Sequence, residues 1–148
     1  MKKILFLVPF SLFLCAADAA RRPSKNEING PVAASSGYII DGDTFAAMVH
    51  IAEDIEISVR VRIRQIDAPE MEAQCKSEKT AAIASKERLT ELLPDGTLIQ
   101  LYDIKDDKYL GRIDANVMLT DGRNIGDIMT REGHARKYSG GKRQSWCE

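Results

Sequence analysis

Three patterns in the sequence predict an α+β, mainly β fold: a five-stranded OB-fold Greek-key barrel with one helix after its third strand and a short second helix. The first is a strict alternation in which Ile55, Ile57, Val59, Val61 and Ile63 are interleaved with Glu56, Ser58, Arg60, Arg62 and Arg64, the mark of a half-buried strand. The second is the helical spacing of Ala82, Ser85, Leu89, Leu92 and Leu93, stopped by Pro94-Asp95-Gly96. The third is a series of turn signals, Asp41-Gly42-Asp43, Ala52-Glu53-Asp54 and Asp121-Gly122, that cuts the rest into short strands. A chain of 148 residues suffices for one such domain.

Residues 1–19 read as a signal peptide. Met1-Lys2-Lys3 is a short positive region, Ile4 to Leu14 is mostly apolar, and Ala17-Asp18-Ala19 offers small residues for cleavage after Ala19. The apolar run is too short for a membrane anchor, and Leu14 before Cys15 disfavours lipidation there. Export to the periplasm or the exterior, with no membrane association after cleavage, is the expectation. Residues 20–36, rich in Ala, Ser, Pro, Asn and charge without apolar period, read as a flexible lead-in. The domain is placed at 37–148.

Tyr38 to Ile40 and Thr44 to Ile51 read as the first two strands, flanking the Asp41-Gly42-Asp43 turn, and the alternating run is the third. Ser77 is a candidate cap for the first helix, with Glu78 in its first turn. Thr97 to Tyr102 reads as the fourth strand, Asp103 to Lys108 as a polar loop, and Tyr109 to Leu119 as the fifth strand. Asn124 can cap a short helix with Ile125, Ile128 and Met129 on one face and Gly133 at its end.

Cleavage after Ala19 removes one of three cysteines and leaves Cys75 and Cys147. An even pair in an exported chain favours a disulfide, with two free thiols as the other reading. A crosslink enclosing about 70 residues is worth roughly 4 kcal/mol in the chain-entropy model. Cleavage also takes two of 21 basic and one of 22 acidic side chains, leaving 19 against 21. A net charge of −2 argues against a protein that coats nucleic acid, but not against an enzyme with a local basic site.

The chemistry concentrates in Arg62-Ile63-Arg64-Gln65-Ile66-Asp67-Ala68-Pro69-Glu70, where a basic strand runs into two acids. Guanidinium groups suit phosphate oxygens, and carboxylates suit a hard metal ion or a proton. Asp-Gly-Asp at 41–43 is by itself more often a turn than a ligand, and it lacks the later acids and glycine of an EF-hand loop. His50 and His134 form no zinc pattern and no Ser/His/Asp set is evident.

With these residues in hand, the sequence resembles the staphylococcal nuclease (thermonuclease) family from about Tyr38 to Tyr138. The matching pieces are Asp41-Gly42-Asp43-Thr44, Arg62 with Ile66-Asp67-Ala68-Pro69-Glu70, Asp107-Lys108-Tyr109 followed by Gly111-Arg112, and the second helix with Gly133. The resemblance implies a nuclease-like domain that cleaves DNA and RNA, single strands preferred, to 3′-phosphate products. It implies one calcium ion held by Asp43, Asp67 and the backbone carbonyl of Ala68, where the family usually has Thr. Glu70 would activate or orient water, and Arg62 and Arg112 would clamp phosphate. Lys108 and Tyr109 would contact a terminal phosphate and Tyr138 would stack on a base. Leu110 is an extra residue relative to the family's Asp-Lys-Tyr-Gly-Arg; absorbed as a bulge it is harmless, otherwise Arg112 faces away. Ser139 to Glu148 stands where the family has a long helix, with Trp146-Cys147 expected to be pinned to the barrel. The expected state is a monomer. A competing reading is a non-catalytic OB-fold module that grips single-stranded nucleic acid or an oligosaccharide in the same groove. The Leu110 insertion favours that reading and the complete acid set disfavours it.

Overall fold

The computed structural model describes residues 27–147. The signal-peptide expectation at 1–19 lies outside the described residues. The strands are β1 (Glu27–Ile28), β2 (Val32–Ile39), β3 (Thr44–Ala52), β4 (Ile55–Ile63), β5 (Ile66–Asp67), β6 (Leu98–Asp106), β7 (Arg112–Leu119) and β8 (Arg136–Lys137). The helices are α1 (Lys76–Leu92), after β5, and α2 (Ile125–Arg131), after β7.

Strands β2, β3, β4, β7 and β6 pair in that order, and β6 pairs back onto β2, which closes a five-stranded mixed barrel. The β4–β7 pairing is parallel and the others are antiparallel. The expected OB-type barrel is therefore the fold. Its core is lined by Ala34, Phe45, Ala47, Val61, Ile63, Ile99, Leu101, Ala115 and Val117, with Leu89 of α1, Leu93 just past its end, and Ile125 and Met129 of α2 plugging it. Full burial of each large aliphatic or aromatic side chain contributes roughly 1.5–3 kcal/mol.

Four local expectations change. Residues 27–36 are not a lead-in: β1 and most of β2 lie there, and β2 is the strand that closes the barrel. Its small side chains hide it from propensity but fit the crowded closure, where Ala34 and Ser36 are buried and the Ser36 hydroxyl donates to Pro94 O (2.7 Å). Cys75, not Ser77, sits at the N-cap of α1, without a side-chain capping bond. Glu78 compensates by reaching back to accept from the backbone N–H of Gln74 (2.9 Å). Strand β6 continues to Asp106 through a bulge at Asp103, whose φ is +49°, so the polar segment is mostly strand. Finally, Tyr109, Leu110 and Gly111 form a turn and β7 begins at Arg112.

The aliphatic alternation in β4 is only half used. Val61 and Ile63 are buried, whereas Ile55 and Ile57 are exposed where the β3–β4 hairpin projects past the barrel end. Helix α2 matches expectation, with the Asn124 side chain accepting from Asp127 N (3.1 Å) and Ile125, Ile128 and Met129 buried. Cys75 and Cys147 form a disulfide that ties residues 139–147 to the start of α1. Trp146 beneath Arg136, 3.7 Å from guanidinium carbon to ring centre, holds the same segment. No helix among the described residues is long and apolar enough to cross a membrane.

Candidate active site

The β2–β3 turn sets the first carboxylates. Asp41 accepts from Asp43 N (3.0 Å), and the turn is pressed so closely onto the protein that a Cβ on Gly42 would lie 2.6 Å from Ser85 Cβ and 2.8 Å from Ala68 Cβ. Only glycine fits there, and the same crowding favours the small Ala68. Asp43 is buried and fully engaged: Oδ1 accepts from Thr44 Oγ1 (2.9 Å) and Arg62 Nη1 (2.5 Å), and Oδ2 accepts from Ala68 N (3.0 Å). This one carboxylate therefore fastens the turn to β4 and to the segment after β5. Burial, reinforced by the charge of Asp43, pushes the Asp41 carboxyl up to about 6.

Arg62 also donates through Nη2 to Ile66 O (3.2 Å). Burial pulls its pKa down, but Asp43 more than offsets this and leaves it above the ordinary arginine value. The parallel register pairs Arg60 with Arg112 and Arg62 with Asp114, so these four side chains share one face of the sheet. Arg112 thus faces the same side as Arg62. Its Nε bonds Asp107 Oδ2 (2.6 Å), and its guanidinium lies 4.4 Å from the Tyr109 ring centre. Burial raises Asp107, yet the Arg112 hydrogen bond holds its carboxyl below the usual range. Asp114 moves the other way, raised by burial and then by Asp107.

Leu110 resolves simply. It sits at the tip of the turn, 98% exposed, and Gly111 at φ +73° completes the reversal before β7 starts. Arg60 Nη2 donates to Leu110 O (2.8 Å) and braces the tip. An extra residue outside the paired strands leaves the register, and so the direction of Arg112, unchanged.

The antiparallel pairing of β5 with β8 holds Asp67 in a buried position beside Arg136. Glu70, three residues on, is exposed at the rim. A cleft of about 700 Å³ is lined by Asp41, Asp43, Arg62, Glu70, Asp107, Lys108, Tyr109, Arg112, Tyr138 and Arg143 among others. Of the residues singled out in the sequence, Asp43, Arg62, Glu70, Lys108, Tyr109, Arg112 and Tyr138 meet there. Asp67 and Ala68 lie behind its wall, joined to it through Asp43 and Arg143. Tyr138 also lines a neighbouring groove, and its hydroxyl donates to Gly141 O (2.7 Å).

Arg143 belongs to the site although no sequence motif singles it out. Its Nη2 donates to Ala68 O (2.8 Å), Nη1 pairs with Glu70 Oε1, and Nε lies against Asp67 Oδ1. Asp67 Oδ1 is buried and, despite that ion pair, receives no well-aligned hydrogen bond. Sequence did contain a signal: Cys75 is five residues after Glu70 and Cys147 four after Arg143, so the crosslink brings the two together. Asp67 Oδ1, Ala68 O and Glu70 Oε1 thus converge on a single cationic group. Carboxylate and carbonyl oxygens are what a hard divalent ion requires, so this donor set fits one. The other acid–sulfur cluster, Cys75, Glu78 and Cys147, has its sulfurs joined in the disulfide and offers no thiolate.

A comparison with curated proteins finds no match to the chain. Residues 60–146, more than half of the sequence, match the family described as Staphylococcal nuclease homologue. The matched stretch holds Arg62, Asp67, Glu70, Arg112 and Arg143, while Asp41 and Asp43 lie upstream and join them through the fold. On this match, with the closed barrel and its two helices, the chain belongs to the staphylococcal nuclease homologue family.

Proposed function

We propose that the protein is an exported, calcium-dependent nuclease that hydrolyses phosphodiester bonds of DNA and RNA and leaves 3′-phosphate ends. The observation that carries this reading is that Arg62, Arg112 and Glu70, drawn from two strands and a connecting segment, line one cleft with Asp43. Such a set has little use in a merely structural surface, because partly burying so many charged groups costs desolvation that their pairing only partly returns.

Calcium would be held by Asp43, Asp67 and the carbonyl of Ala68. When bound, such an ion supplies Lewis-acid polarisation of a phosphate oxygen and of water. Arg62 and Arg112 supply the remaining positive charge. Anchored on one sheet face, they meet phosphate oxygens through planar forks and stabilise the charge that grows as phosphorus becomes five-coordinate. In phosphoryl transfer one such arginine is worth about 10³–10⁵ in rate. Glu70 at the rim orients the attacking water and accepts its proton at a carboxylate oxygen. The open cleft beside Tyr109 and Tyr138 admits an unpaired strand more readily than a duplex, with bases against the rings.

The non-catalytic module remains the second reading, and one observation favours it: Glu70 is paired to Arg143. One assay separates the two. Denatured DNA incubated with the protein should be cut in calcium, spared in chelator, and cut again when calcium is restored. Saturable binding without turnover under all three conditions would establish the binding module instead.

A further inference from the structure

Arg143 belongs to a segment of no regular secondary structure, yet no other side chain in the cleft contacts as many site oxygens. It touches Asp67, Ala68 O and Glu70 at once. The segment is fastened on the far side of Arg143 by the disulfide at Cys147 and by Trp146 against Arg136. Trp146 Nε1 also donates to Asp67 Oδ2 (3.4 Å), and Arg136 Nη1 donates to Ser145 O (2.8 Å).

We propose that Arg143 is the resident cation of this site: its guanidinium neutralises Asp67, Ala68 O and Glu70, and a divalent ion binds only by displacing it. The inference rests on the calcium reading above and adds the residue that sets the affinity. Two cations cannot share these oxygens, because like charges at contact distance repel and each oxygen has few lone pairs to offer. The covalent tether keeps the displaced arginine nearby at high effective concentration, so it competes continuously. Asp43 differs: Arg62 pairs with its Oδ1 and can stay on its strand, whereas Oδ2 accepts only from Ala68 N and keeps a lone pair for an ion. Loading the site therefore exchanges one tail arginine for one ion, and it frees the Glu70 carboxylate from its ion pair.

The test is calcium binding to the intact disulfide-bonded protein by titration calorimetry, with no substrate present. Arg143→Ala should bind calcium roughly tenfold or more tightly than wild type, within the usual range for coupling between two ligands. It should also melt lower than wild type without calcium and gain more in Tm on adding it, because its carboxylates have lost their counter-ion. Arg131→Gln, an exposed site in the last turn of α2, controls for net charge. Equal affinities in Arg143→Ala and wild type, or the same gain in Arg131→Gln, would overturn the proposal while leaving calcium dependence intact. Absence of calcium binding in every variant would remove the calcium reading and this inference together.

Discussion

The cleft has two halves built by different means. On one side Arg62 and Arg112 stand on β4 and β7, and their common direction follows from strand register. On the other, Asp41, Asp43, Asp67, Ala68 and Glu70 sit on a turn and on short or irregular segments, joined by side-chain bonds through Asp43 and Arg143. A ladder of backbone bonds fixes direction whatever the neighbouring side chains are. A side-chain lattice holds position only while each member is present. The half built on strands is therefore rigid by construction and the acidic half adjustable, which would suit the proposed function, in which a cation must enter and leave.

The largest effect should come from removing one charged group from each half. Arg112→Ala and Glu70→Gln should each lose at least about 100-fold in cleavage rate, some 2.7 kcal/mol of barrier, with unchanged circular dichroism. Wild-type rates in either variant would place the chemistry elsewhere. Gly42→Ala attacks the lattice by crowding alone, since its new methyl meets Ser85 and Ala68. Urea unfolding should register a loss of about 1–3 kcal/mol, the usual penalty of overpacking, with calcium affinity falling further than phosphate affinity. An equal fall in both would show that the halves are not independent. The smallest effect belongs to Leu110, exposed at the turn tip. Leu110→Gly should change stability by less than about 0.5 kcal/mol and activity by less than about twofold, and a large loss would mean that the turn does more than hold Arg112 in register.

The barrel is legible because period-two alternation and turn residues report directly on backbone geometry, whereas the cleft residues are legible only through the resemblance to the staphylococcal nuclease family. Helix α2 was legible down to its Asn124 cap. Strand β2 was not, since Ala33, Ala34, Ser35 and Ser36 carry no strand signal of their own and become strand through pairing on both sides. The continuation of β6 was hidden by Asp103, a bulge residue that reads as loop. Asp43, Arg62, Glu70 and Arg112, which the resemblance groups, line one cleft, while the part of Arg143 depends on a contact 75 residues away from Ala68 along the chain. No periodic pattern reports such a contact.

The Cys75–Cys147 bond also makes a covalent ring that contains α1, β6, β7 and α2. A protease that cuts the exposed turn around Leu110 would therefore leave both fragments attached, and the nick would show on a gel only after reduction. With the strands still paired on each side of the cut, the nicked molecule should keep Arg62 and Arg112 facing the same cleft.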